Sequence, residues 1–335
     1  MNENIAVLGA GCWGITLATL LSRKNYNVSV WEISEQNVRH ISKYRKLKFL
    51  PGVKIPLSIN ISSDMKEIIT DKRIIIFAVS SQYVRETARS ISKFNIDSNC
   101  IIINAAKGLE LNSMKRMSEV ISEELPKFKE NICTLSGPSF AIEVMHKIPT
   151  AVVISGRNIE ILKKIQKLFS TEYFRLYTNT DIIGVEYGGA LKNIFAIACG
   201  ISDGVGYGDN TKSTIITRGI TEIVKLGTCL GAKKETFFGL SGLGDLITTC
   251  FSKHSRNRLF GEKIGSGLRP IDALKQIKMV VEGYKTANSA YFLAKKNKLE
   301  LPIINEIYYI LYENKPVKNS ISNLMLRKLK SENIF

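Results

Sequence analysis

Ile5-Ala6-Val7-Leu8-Gly9-Ala10-Gly11-Cys12-Trp13-Gly14 decides the reading of the first half of this chain. The apolar run Ile5 to Leu8 reads as a buried strand, and the glycines after it have the spacing GxGxxG at the start of a helix reaching to about Leu21. Gly9 permits the tight turn, Gly11 lets a pyrophosphate approach the backbone, and Gly14 lets helix and strand pack closely. The first helical residues, Cys12 and Trp13, carry N–H groups without partners inside the helix, which attract phosphate. A plain glycine-rich turn would use the same letters, so the context matters. A second strand, Val28 to Trp31, ends at Glu32, about 20 residues on, where a carboxylate can hold a ribose 2′-hydroxyl. The same carboxylate repels the 2′-phosphate of NADP, so NAD is the expected preference, with NADP as the other option. Arg39 is a possible compensator, though a poor one, several residues into the next segment.

Further strand-like runs at Ile74 to Val79, Cys100 to Asn104, Ile132 to Leu135 and Ala151 to Ile154 alternate with helical stretches. Runs apolar on both faces imply a mostly parallel sheet covered by helices. After Asp181 the pattern changes. Ile215, Ile216, Ile220, Ile223, Val224 and Leu230 follow helical spacing, as do segments from Ile271, Thr286, Ile303 and Ile321. The expected architecture is an α/β Rossmann-type domain over residues 1–181, followed by an all-α domain over 182–335.

The composition narrows the class. With 47 Lys and Arg against 30 Asp and Glu the net charge is +17, which raises nucleic acid, membrane and phosphorylated substrate as partners. Apart from Lys43, Arg45, Lys46 and Lys48, the basic residues are scattered pairs such as Lys163-Lys164, without interleaved stacking aromatics. A solvated surface and a small-molecule substrate fit better than nucleic acid. The 6 cysteines and 3 histidines are dispersed, so neither a metal site nor a disulfide framework is expected. The N-terminus enters its strand without the basic region of a signal peptide, and a cytoplasmic location is expected. Ile182 to Ile201 is apolar except for Glu186, Lys192 and Asn193, a cost in lipid that favours a helix buried in protein over integral membrane association.

That helix makes Lys192 conspicuous. A lysine in such surroundings loses hydration, needs a carboxylate partner and has its pKa drawn toward the range useful for proton transfer. A lysine that snorkels to the surface is the competing reading. Ser241-Gly242-Leu243-Gly244-Asp245-Leu246 offers the acid, with glycines that allow close packing. Ser255-Arg256-Asn257-Arg258 reads as a helix start with Ser255 at the N-cap, suited to a phosphate, although an ordinary capped helix has the same letters. Lys107, beside Gly108 and beyond the strand Cys100 to Ile103, lies where open sheets bind ligands. Gly137 and Ser139, in Ser136-Gly137-Pro138-Ser139-Phe140-Ala141, occupy the equivalent place after Ile132 to Leu135.

Taken together, GAGCWG, AAKGLE, SGPSFA, GVEYGGALKN, GDNTKSTIITRG, GLGDL, SRNRLFG and VVEGY resemble the bacterial NAD(P)-dependent glycerol-3-phosphate dehydrogenases over nearly the whole chain. The resemblance implies a C-terminal half like that of 6-phosphogluconate dehydrogenase. It also implies reduction of dihydroxyacetone phosphate to sn-glycerol 3-phosphate, for phospholipid synthesis. It makes Lys192 the catalytic acid/base and Lys107 a residue beside both cofactor and substrate. Asp245, Ser255, Arg256, Asn257, Gly137 and Ser139 become substrate positions, with Arg256 also near the cofactor. Ala141, Val281 and Glu282 become cofactor positions. Trp31-Glu32-Ile33 departs from the family, many of whose members carry His or Arg there in a setting that suits NADP. A homodimer is compatible with the sequence. The rival readings are a two-domain hydroxy-acid dehydrogenase and a non-catalytic anion-binding or nucleic-acid-binding protein. The Lys192, Asp245 and Arg256 set speaks against the second.

Overall fold

Ile74–Phe77 and Ile101–Asn104 are buried along their whole length, as strands covered by helices on both faces must be. They are the middle of an eight-stranded sheet ordered β3-β2-β1-β4-β5-β6-β7-β8. The strands are β1 (Asn4–Leu8), β2 (Asn27–Trp31), β3 (Asn60–Ser62), β4 (Ile74–Phe77), β5 (Ile101–Asn104), β6 (Ile132–Ser136), β7 (Thr150–Gly156) and β8 (Phe174–Asn179). Every neighbouring pair is parallel except β6 with β7. This computed structural model describes residues 3–277, 279–329 and 331–332.

The sequence reading named six of these strands, and the sheet adds its two edges. In β3 only Ile61 is buried, so no apolar run announces it. In β8 buried Phe174 and Leu176 alternate with exposed Arg175 and Tyr177, a half-solvated pattern that is weak over so short a run.

The chain divides into two units, one formed by Met1–Ala106 and Met117–Ile182, the other by Lys107–Arg116 and Ile183–Phe335. The single cut expected after residue 181 thus misses one excursion, Lys107–Arg116. Its cause is local. Leu109 is fully buried in the core of the helical unit, and Arg116 Nη1 meets Glu186 Oε2 at 2.6 Å.

The helical unit is built around Ile182–Val205, of which Gly184 through Ser202 are all buried. This helix is long and apolar enough to cross a membrane, yet 89% of its most apolar window is buried inside the protein. It packs on the helix Arg256–Gly265 with backbone against backbone. A Cβ on Gly200 would come within 1.9 Å of the Arg258 carbonyl oxygen, and one on Gly204 within 2.1 Å of that of Glu262. From the other side, Gly261 and Gly265 stand as close to the carbonyls of Ile197 and Ile201. Glycines four apart on both helices allow this approach, as in small-residue helix contacts generally.

Candidate active site

In the sheet unit the glycine loop has the shape a dinucleotide phosphate requires. Gly9 has φ +113°, and a Cβ there would meet the Ala78 carbonyl oxygen at 2.9 Å. A Cβ on Gly14 would lie 1.9 Å from the Gly9 carbonyl oxygen, so loop and helix are in backbone contact. Gly11 is the opposite case, with nothing within 4 Å of its Cβ position. It is the N-cap of the helix Cys12–Ser22, and no side chain caps the N–H groups of that first turn. Open space before the N–H groups of a helix's first turn is a geometry that can accept a pyrophosphate. Cys12 points its thiol at the Phe49 carbonyl oxygen, 3.7 Å away, while Trp13 is half-buried in the next position.

Glu32 follows β2 directly. Its Oε1 accepts hydrogen bonds from the Ser34 backbone N–H at 3.2 Å and the Asn37 side-chain amide at 3.1 Å, which hold the carboxylate at the strand end. Arg39 turns to Glu35 at 3.0 Å on an exposed helix face. Beyond β6, Gly137 takes φ +135°, the Ser139 hydroxyl donates to the Gly137 carbonyl at 2.9 Å, and Ala141 opens the short helix Ala141–Met145.

In the helical unit Lys192, Asp245 and Lys107 converge. Lys192, 6% exposed, donates to Asp245 Oδ1, and Lys107 donates to Asp245 Oδ2 at 2.7 Å. Asp245 is 2% exposed. It opens the helix Asp245–Phe251 just after a π turn over Leu240–Gly244, an irregularity frequent at functional sites. That turn lies tight against the long helix, since a Cβ on Gly188 would come within 2.7 Å of the Ser241 carbonyl oxygen. The Thr249 hydroxyl accepts a further hydrogen bond from Lys192 at 2.8 Å and donates to the Asp245 carbonyl at 2.6 Å.

Burial draws the Lys192 ammonium down to about 8; Asp245 opposes this fall and Lys107 adds to it. Two lysines around one carboxylate leave a local excess of one positive charge. Such a cluster can hold an oxygen that is gaining negative charge and supply it with a proton.

A second set lies at the helix Arg256–Gly265. Ser255 is its N-cap, with the hydroxyl accepting from the Arg258 N–H at 3.2 Å. Asn257 is buried, donating to Asn193 Oδ1 at 2.8 Å and accepting from the Gly283 N–H at 2.9 Å. Arg256 is exposed beside them. Val281 is the N-cap residue of the helix Glu282–Lys296 and Glu282 is its first residue, directly before Gly283. Through Asn193, the residue next to Lys192, this set is joined to the lysine cluster.

Thr249 and Gly283 were not named from the sequence, and Asn193 was noted there only as a polar residue in an apolar helix. Thr249 had a usable signal, because four residues after Asp245 it shares that residue's helix face.

Comparison with known proteins bears on this geometry. A family model described as the NAD-dependent glycerol-3-phosphate dehydrogenase N-terminus matches residues 4–162, and one described as the C-terminus matches 181–322. A glycerol-3-phosphate dehydrogenase [NAD(P)+] of Fusobacterium nucleatum is 44% identical, covering 98% of this chain and 98% of that protein. Its counterpart from Carboxydothermus hydrogenoformans is 46% identical, again with 98% of each covered. The crystal structure of glycerol-3-phosphate dehydrogenase from Coxiella burnetii is similar with a TM-score of 0.93 at 34% identity, over 97% of this chain and 99% of the other.

Proposed function

The chain belongs to the NAD-dependent glycerol-3-phosphate dehydrogenase family, and from that premise we propose that it reduces dihydroxyacetone phosphate to sn-glycerol 3-phosphate in the cytoplasm, for glycerophospholipid synthesis. The observation that carries this reading is the buried Lys192–Asp245–Lys107 cluster, tied through Asn193 to a helix start bearing Arg256. When bound, the reduced nicotinamide supplies the hydride that the substrate's central carbonyl carbon accepts. Gly9, Gly11, Cys12, Trp13 and Gly14 hold the phosphates of that cofactor, and Glu32 holds its adenosine ribose.

Lys192 donates a proton from Nζ to the carbonyl oxygen as that oxygen becomes an alcohol, and a proton from water restores it. Lys107 stabilises the charge developing on the same oxygen. Asp245 and Thr249 orient the Lys192 ammonium and so position its proton. Arg256 and Asn257 bind the substrate phosphate at their helix start, capped by Ser255. Gly137 and Ser139 add substrate contacts, while Ala141, Val281 and Glu282 serve the cofactor. Oxidation of NADH that depends on dihydroxyacetone phosphate tests the reading. Equal or faster turnover of an unphosphorylated 2-keto acid would defeat it in favour of a hydroxy-acid dehydrogenase.

A further inference from the structure

Asp203, in the last turn of the helix Ile182–Val205, gives its two carboxylate oxygens to cations from two other helices. Lys212 Nζ lies 2.6 Å from Oδ1, and Arg258 Nε lies 2.6 Å from Oδ2. The side chains are mostly buried, at 15% exposure for Asp203 and Arg258 and 10% for Lys212. The Lys212 ammonium also sits 5.2 Å from the Phe251 ring centroid, at the end of the helix that Asp245 opens. Ion pairs this secluded resist opening, because breaking one takes a buried charge from its nearest partner with little water to replace it; the more exposed Glu262 Oε2, 3.7 Å from Arg258 Nη1, is the weaker second partner of that arginine. Lys212 lies near the start of the helix Asp209–Cys229, and Arg258 lies in the first turn of Arg256–Gly265.

The consequence for the site lies in helix rotation. Successive helical residues turn by about 100°, so Arg256 and Arg258 point roughly 200° apart. With Arg258 drawn inward to Asp203, Arg256 faces outward, and it is indeed exposed. Asn257, between them, is tied to Asn193. Two consecutive side chains therefore fix this helix about its own axis. We infer that Asp203 is a positioning residue for substrate phosphate: by holding Arg258, it sets the direction from which Arg256 meets the substrate. This rests on Arg256 as the phosphate reader.

Asp203→Asn keeps the side chain's shape and removes its charge. In that variant the KM for dihydroxyacetone phosphate should rise about tenfold, less than the roughly hundredfold that a full 1 Å misplacement can cost. The kcat and the NADH affinity should stay within about twofold, and the inhibition constant of inorganic phosphate should rise in parallel with KM. The deciding measurement is the double variant. In an Arg256→Ala background, Asp203→Asn should raise KM much less than it does in the wild type, because it acts mainly through Arg256. A full multiplicative rise there, or a loss of kcat at constant KM, overturns the inference. An unchanged KM in Arg256→Ala alone overturns the phosphate reading itself, and the inference with it. Should Asp203→Asn fail to fold, Arg258→Gln breaks the same ion pair from the other side and carries the same cycle.

Discussion

Asp245 binds the ammonium group of Lys192 through one carboxylate oxygen and keeps the other for a second cation. The acid therefore does not neutralise Lys192 alone. It serves two lysines, and the cluster retains a net positive charge, as the proposed role of Lys192 and Lys107 at the reacting oxygen requires.

Lys192→Met should lower kcat by about 10² to 10⁴-fold, the usual contribution of a positioned proton donor. NADH affinity, followed by fluorescence titration, should hardly change. Turnover near the wild-type level would remove Lys192 from the mechanism.

The pH profile follows from the same group. Reduction needs Lys192 protonated, so kcat for dihydroxyacetone phosphate should fall as pH rises through about 8, and the reverse oxidation should gain there. Because Lys107 helps to lower Lys192, Lys107→Met should move this limb to higher pH, whatever it does to the maximum rate. A limb that stays in place would mean that Lys192 is not the group titrating.

Glu32 should favour NADH over NADPH through repulsion of the 2′-phosphate. Replacing it with Ser should narrow the ratio of the two specificity constants by about tenfold, the equivalent of one charged contact. A wild-type enzyme that prefers NADPH would show that the strand end does not select the cofactor.

Glu222 offers a test of stability apart from catalysis. Fully buried, it accepts the backbone N–H groups of Ile303 at 2.8 Å and Ile304 at 3.0 Å, and burial raises its carboxyl from 4.5 to about 7 despite them. Below pH 4.5 the group is neutral in the folded and unfolded chains alike, and no penalty arises. Between 4.5 and about 7 the unfolded chain gives up its proton first, so stability falls as pH rises. Above that the full cost, on the order of 3 kcal/mol, is present. The two N–H groups go to different carboxylate oxygens, so Glu222→Gln cannot ionise but keeps an acceptor for only one of them, a cost of about 1 kcal/mol that does not vary with pH and is smaller than the ionisation penalty. Its melting temperature should exceed the wild type's at pH 8, with the advantage shrinking toward pH 5. A variant destabilised equally at both values would contradict this account.

The central strands and the glycine loop were legible because their signals are local. A run apolar on both faces and a GxGxxG at a strand end need no knowledge of the rest of the chain. Lys192 was legible for the opposite reason, a charge misplaced in an apolar helix, which demanded an acid elsewhere. The bridge from Asn257 to Asn193 was not, since two asparagines 64 positions apart carry no mark of meeting. Nor was the excursion Lys107–Arg116, whose allegiance depends on where Leu109 and the Arg116–Glu186 pair find their burial. Edge strands escaped because solvent on one side dilutes the pattern.

The glycines that bring the Lys192 helix onto the Arg256 helix have a consequence for what the enzyme can select. Main chain touches main chain at Gly200, Gly204, Gly261 and Gly265, and the Asn193–Asn257 and Asp203–Arg258 pairs bridge the same two helices on either side of that contact. With Lys192 as the proposed proton donor and Arg256 as the proposed phosphate reader, that contact holds their two helices at a set spacing. A ketone whose carbonyl and phosphate are separated as in a triose phosphate should then be turned over faster than a homologue one carbon longer, a selection by length as well as by charge.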